Sequence, residues 1–389
     1  MCVYFFFCMD YLFSIVTEKN CESLCALELS DRFNLEGSLR DGFVDFSADF
    51  KTAVRVAYFS QSARRLILKV GSGSFNELDD LLSSISSDLK NGSWSDFFSN
   101  KYRVSCARQG VHDFNSVIVE QEVSALIKNE LSARDIEGVA DYNTRDLIFF
   151  VHIVDGTYLF GLDFAGKDLS KRHYLFFNNP IAVKGTLAFN LILFSGFKPG
   201  FSLLDCFALA GVIPIEAALY DSNRSINSFS KEFFFPIKVR EDAVGFLKEF
   251  DLEVTSSKTS NIFSCDSSFP NLAAQKKNSR IAGVEKNIAF SRTDAFDLDI
   301  KNFGKDIDVV CSRVLEPSKK ISESVAVRSY EDFFSACDSF LKKSGVVCFV
   351  VRNPLLVEKV ALKHGFKVVD KLETSQGLQD FFFVKFSRA

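Results

Sequence analysis

Residues 203–219 read LLDCFALAGVIPIEAAL, and this stretch decides the fold. The apolar run closing on Asp205 predicts a buried strand over 201–205. Gly211 marks a turn, and the apolar spacing beyond it predicts a helix over 213–220. A short strand, a tight loop and a helix form the repeating unit of an α/β domain, and the same unit recurs on both sides. A helix is expected over 183–195 and a strand over 261–265, then a helix running to about Ile281. Strands over 287–290 and 308–311, a helix over 330–343, a strand over 345–351 and a helix over 356–363 follow. This alternation predicts a mostly parallel, doubly wound sheet. Strands over 366–371 and 380–386 close the chain, antiparallel because only a short turn around Gly377 separates them. Residues 222–260, rich in Ser, Lys and Phe, interrupt the pattern and read as an insertion or as a helix with a loop.

Upstream the texture is α+β. A strand over 11–16, a helix over 21–33, a strand over 42–46 and a helix-then-strand over 51–71 make one small unit. A second begins after Gly71-Ser72-Gly73-Ser74, read as a turn. It holds helices over 76–89 and 116–131, a strand over 102–107, and a hairpin of 147–154 with 158–164 around Asp155-Gly156.

The 389 residues, 47% hydrophobic and 25% charged, suit two or three globular units. A formal charge of −4 excludes a uniformly basic nucleic-acid coat but not a local basic patch. The ten cysteines are scattered, without CxxC pairs or zinc spacing, and read as reduced thiols of a cytoplasmic protein with no metal. The opening apolar residues are broken by Asp10 and fall short of the roughly 20 needed to span a bilayer, so no membrane partner is expected. The second of two methionines, Met9, opens a strand, and translation is expected to start there rather than at Met1. The 44 Phe residues read as compositional drift at core positions, not as a base-stacking platform.

Several segments, in order, resemble one family. RVSCARQGVHDFNS (103–116) and DLIFFVHIVDGTYLFGLDFAGKDLSKRHY (146–174) resemble the THUMP domain of tRNA and rRNA guanine-N2 methyltransferases. ELSDRFNLEGSLRDGFVDFSAD (28–49) and SQSARRLILKVG (60–71) resemble the ferredoxin-like domain that precedes it. NPIAVKGTLAFNLILFSG (179–196), the opening stretch and residues 262–298 resemble the family's Rossmann-like methyltransferase domain. The resemblance implies three parts: a ferredoxin-like domain over 9–71, THUMP over 72–172 and the methyltransferase domain over 173–389. It also implies S-adenosylmethionine as cofactor and structured RNA, above all tRNA, as partner.

Residue by residue, the family's first loop, Asp-Pro-Phe-Cys-Gly-Ser-Gly-Thr, maps to 205–212. Asp205 and Gly211 survive and Leu209 replaces the first glycine, bringing a Cβ to a site where the backbone normally approaches the cofactor. The other reading is an ordinary strand-to-helix turn. Glu216, in the intact Ile-Glu-Ala-Ala, lies near the start of the next helix. Asp266 stands where the family's carboxylate accepts from ribose hydroxyls, and Asp294 where one contacts the adenine amino group; each also suits a helix cap. The family's Asn-Pro-Pro-Tyr-Gly maps to Ser312, Arg313, Val314, Leu315 and Glu316. The Asn should hold the guanine amine, but Arg313 has donors only, and its cation disfavours a neighbouring sulfonium. No confident catalytic residue remains, and Asn353-Pro354 lies one strand too late. For RNA contact the candidates are Arg64, Arg65, Arg108, Lys167, Lys171 and Arg172, with His112 and His173 nearby; a solvated charged surface is the plainer reading. Three functions stay open: a methyltransferase for guanine N2 in RNA, a non-catalytic RNA-binding pseudo-methyltransferase serving as scaffold or partner subunit, and a protein-interaction scaffold without RNA.

Overall fold

The computed structural model describes residues 10–92, 94–98, 101–143, 146–231, 240–255, 261–294, 297–298, 307–377 and 379–389. The expectation about Met9 lies outside them. The chain forms two compact units, one of residues 1–17, 28–169 and 230–250, the other of 18–27, 170–229 and 251–389.

The first unit holds strands β1 (Tyr11–Val16), β2 (Ser38–Arg40), β3 (Phe43–Ala48), β4 (Arg65–Ser74), β5 (Lys101–Gln109), β6 (Val139–Ala140), β7 (Leu147–Val154) and β8 (Thr157–Asp163). They form one sheet in the order β2-β3-β1-β4-β8-β7-β5-β6. The strand β4 joins the two stretches read as separate units: it pairs with β1 through Arg65–Leu68 and with β8 through Ile67–Ser74. A boundary at 71/72 therefore cuts a continuous strand, and Gly71–Ser74 is strand rather than turn. The glycine serves a close approach, because a Cβ at Gly71 would collide with the Asp88 carboxylate, which accepts from Tyr158 Oη at 2.7 Å. The Asp155-Gly156 hairpin forms as expected, with Asp155 at φ 49.

The second unit holds β9 (Leu203–Asp205), β10 (Ile262–Asp266), β11 (Ile288–Arg292), β12 (Ile307–Ser312), β13 (Leu341–Val351), β14 (Phe366–Gln376) and β15 (Gln379–Arg388), ordered β11-β10-β9-β12-β13-β15-β14. Neighbours from β11 to β13 run parallel, while β15 is antiparallel to both β13 and β14. The sheet's central parallel strands β9 and β12 are buried on both faces, as strands of a parallel sheet must be, while the edge strand β14 is largely exposed. Leu203, Val309 and Cys348 pack with the wholly buried helix Gly185–Ser195, while Leu204, Val310 and Val347 pack with the helix Glu323–Phe340. The latter begins seven residues earlier than periodicity suggested, because Ser322 caps it by accepting from Val325 N–H. The phenylalanine excess fills this core: Phe334 meets Phe333, Phe349, Phe366 and Phe386 ring to ring. Residues 242–251 of the expected insertion are a helix. No described helix is long and apolar enough to cross a membrane.

Candidate functional site

In the second unit the chain leaves β9 toward β10 and β11 on one side, and β12 and β13 lie on the other. Strand order reverses between β9 and β12, and in open α/β sheets the ligand crevice lies at such a point, outside the carboxyl ends of the strands. A cavity of about 190 Å³ opens there, lined by Phe207, Leu209, Asp266, Asp294, Arg313 and Leu315 among others.

The first loop supplies its floor. Leu209 adopts φ 49, the left-handed conformation natural to glycine, and its N–H donates to Asp266 Oδ2 at 2.9 Å. Its carbonyl accepts from Gln275 Nε2 at 3.2 Å. The loop thus keeps the backbone path of a glycine turn with a leucine side chain on it. Asp266 also accepts from Ser268 N–H at 2.8 Å and from Asn271 Nδ2 at 3.0 Å. Three of its roughly four lone-pair sites are used within the chain, leaving about one for a ligand hydroxyl. Asp294, after β11, is exposed on the cavity wall.

Three expected cofactor contacts do not reach the cavity wall. Asp205 is wholly buried; its Oδ1 accepts from Ser312 Oγ at 2.7 Å and Phe207 N–H at 3.2 Å, and its Oδ2 has no partner. Burial pushes its carboxyl up to about 7, against those hydrogen bonds and with help from Asp266. Gly211, at φ 82, serves the turn itself, packed against Gln275. Glu216 is buried and accepts from Arg172 Nε at 2.8 Å, Arg172 Nη2 at 3.1 Å and Tyr174 Oη at 2.6 Å. That grouping also corrects the RNA reading of Arg172, whose side chain is 1% exposed. The two residues satisfy each other's charge, a pairing that a stretch-by-stretch reading of the sequence did not connect.

In the loop after β12, Arg313, Val314 and Leu315 line the cavity. The Arg313 guanidinium lies 4.9 Å from the Phe381 ring centroid, and burial lowers its pKa against the pull of Glu316. Ser312 is a strut, donating to Asp205 while accepting from Cys206 N–H at 3.0 Å. Glu316 turns away and accepts from the N–H groups of Arg352 and Asn353 at 2.7 and 3.2 Å.

Of the basic candidates, Arg64, Arg65, Arg108 and Lys167 belong to the first unit and Lys171 to the second. Arg65 pairs with buried Asp163 and stacks over Phe150. Arg108 donates to His112 Nδ1, which puts the His112 ring proton on Nε2, where it is donated to the Asp155 carbonyl of the hairpin turn. Lys167 donates to Ser230 O and Oγ. Lys171 is exposed, and His173 lies against Phe229. Among the described residues no three His, Cys, Asp or Glu side chains group to hold a metal ion, and the described cysteines are free thiols, all but Cys106 buried. The sequence reading missed Phe207, Asn271 and Ile181 on the cavity wall. Asn271 had a signal, a short polar side chain in the first turn after Asp266; Ile181 had none, being distant in sequence from every other lining residue.

Solved methyltransferases share this architecture. The chain matches a protein described as a possible methylase from Clostridium difficile 630 with a TM-score of 0.81 at 18% identity, covering 98% of this chain and 99% of that one. TrmN from Thermus thermophilus matches with a TM-score of 0.70 at 19% identity, covering 98% and 100%. The fold is that of these methyltransferase structures. Residues 172–379 match the model of the UPF0020 family, the RMKL-like methyltransferase domain, and the chain belongs to that family. Among curated relatives it is 24% identical, over 86% of its length and 88% of theirs, to the tRNA (guanine(6)-N2)-methyltransferase of Methanocaldococcus jannaschii. It is 26% identical to the ribosomal RNA large subunit methyltransferase K/L of Photobacterium profundum, over 73% of this chain and 40% of that protein.

Proposed function

We propose that this chain is an RNA-binding member of the guanine-N2 methyltransferase family that keeps the cofactor frame and has lost most or all methyl transfer. The observation that carries the reading is Arg313 on the cavity wall, where the family's loop has Asn. A cation with donors only gives the guanine amine no acceptor and repels a sulfonium. S-adenosylmethionine supplies, when bound, an electrophilic methyl group on a sulfonium. The chain's own residues suit its nucleoside: Asp266 and Asp294 stand at the ends of adjacent parallel strands, with a lone pair of Asp266 open to a ribose hydroxyl. The other side is narrowed by Leu209, and about 190 Å³ falls below the roughly 300 Å³ at which small-molecule clefts begin. Weak cofactor binding without turnover is the expected behaviour.

The RNA class follows from the relatives, whose substrates are named as tRNA and ribosomal RNA; tRNA is the favoured partner. The proposed division is ferredoxin-like 9–71, THUMP 72–172 and methyltransferase 173–389, in a cytoplasmic protein, with the first two parts sharing strand β4 and its sheet. Lys171, exposed at the surface, is the favoured phosphate contact, since Arg65, Arg108, Lys167 and Arg172 are engaged with Asp163, His112, Ser230 and Glu216. Incubation of purified protein with radiolabelled S-adenosylmethionine and bulk tRNA tests the loss. Background counts are expected, and incorporation into N2-methylguanosine overturns it. Calorimetric titration with the cofactor alone separates a frame that still binds from one that does not.

A further inference from the structure

Two phenylalanines of the second unit escape the core that absorbs most of the others: Phe176 is 79% exposed and Phe177 36%. Single exposed apolar residues are ordinary on protein surfaces, but this pair sits on tightly held backbone. The Phe177 N–H donates to Asn278 Oδ1 at 3.0 Å, and Asn278 Nδ2 donates back to the Phe177 carbonyl at 2.9 Å. Asn278 itself is fully buried in the helix Phe269–Ile281. The two rings meet edge to face with centroids 5.5 Å apart, and Lys277 Nζ lies 4.5 Å from the Phe177 centroid. That helix exposes Lys276, Lys277 and Arg280 and carries no acidic residue, although Arg280 is paired with Glu285 beyond its end. The segment is also wired to the cavity. Asn179 Nδ2 donates to Asn271 Oδ1 at 3.3 Å, Asn271 donates to Asp266, and Ile181 lines the cavity wall.

Rigid exposed rings beside ammonium groups on an acid-free helix are the chemistry that holds single-stranded nucleic acid, since bases stack on the rings while lysines meet phosphates. We infer that Phe176, Phe177 and Lys277 form a stacking ledge for unpaired nucleotides of RNA, leading a single-stranded segment toward the cavity at Asp266. The inference rests on the RNA-binding reading above and gives the methyltransferase unit a grip of its own, apart from the THUMP-like segments.

The test is fluorescence anisotropy of the full chain with bulk tRNA and with a single-stranded oligoribonucleotide, over a salt series. The Phe176→Ala/Phe177→Ala variant is expected to bind both on the order of 10-fold more weakly with its salt slope unchanged, because stacking releases no counterions. Lys277→Ala should lower the slope by about one, and Phe176→Trp/Phe177→Trp should restore affinity. Thermal melting of each variant should match the wild type, since the rings lie outside the core. If the wild type binds tRNA and the double alanine variant stays within twofold of it, the ledge is wrong and the RNA reading stands. If the wild type binds no RNA at any salt, both fall.

Discussion

Substituting Leu209 tests the first loop directly. Its φ of 49 places a Cβ in the left-handed region, at a cost of roughly 1–2 kcal/mol for an L-residue. Leu209→Gly relieves that strain but gains about 0.4–1 kcal/mol of unfolded-chain entropy and loses the packing of a half-buried side chain. The terms nearly cancel, so stability should change by no more than about 1 kcal/mol, against the roughly 2–5 kcal/mol typical of a core leucine truncation. Leu209→Ala loses the same packing without relieving the strain. The glycine variant should therefore be the more stable of the two by about 1 kcal/mol, roughly 2–4 °C in melting temperature for a unit of this size. At ordinary positions the order is reversed. Differential scanning calorimetry reads this comparison, and titration with S-adenosylmethionine should show tighter binding for the glycine variant because the side chain narrowing the cavity is gone. An alanine variant as stable as the glycine variant, or a glycine variant that binds no better than wild type, refutes the reasoning.

Arg172→Met should leave the Glu216 carboxylate buried with its partner cation removed and lower stability by roughly 3–5 kcal/mol, measured by denaturant unfolding; an unchanged midpoint would mean the pair is exposed in solution. Lys171→Ala, by contrast, should leave the melting temperature alone and reduce the salt slope of tRNA binding by about 0.9, as loss of one phosphate contact requires. Asp205 has its folded pKa raised to about 7, above the unfolded value, so its contribution is fully present below about pH 4 and lost as pH rises to about 7. Asp205→Asn should flatten that part of the stability profile, a difference on the order of 4 kcal/mol across the window; parallel profiles for the two proteins would show that Asp205 is ionised throughout.

The α/β alternation, the antiparallel closing pair, the Asp155-Gly156 hairpin and the family were all legible in the residues, because strand and helix periodicity and turn chemistry are local properties of the chain. The same holds for Arg313 and Leu209 standing where Asn and Gly were expected, since chemical unsuitability can be read from residue type alone. Tertiary structure decided what those residues touch. It showed that Gly71–Ser74 continues a strand, because β8, with which it pairs, comes from far along the chain. It placed Arg172 against Glu216, 44 residues on, turning an expected RNA contact and an expected cofactor contact into a single buried pair. It left Asp266 and Asp294 on the cavity wall while withdrawing Asp205 into a hydrogen bond with Ser312, 107 residues later. Burial and partnership arise from segments far apart in the chain. Local sequence therefore determined the frame and the identity of its damaged loops, and only packing decided which charges remained free to meet a ligand.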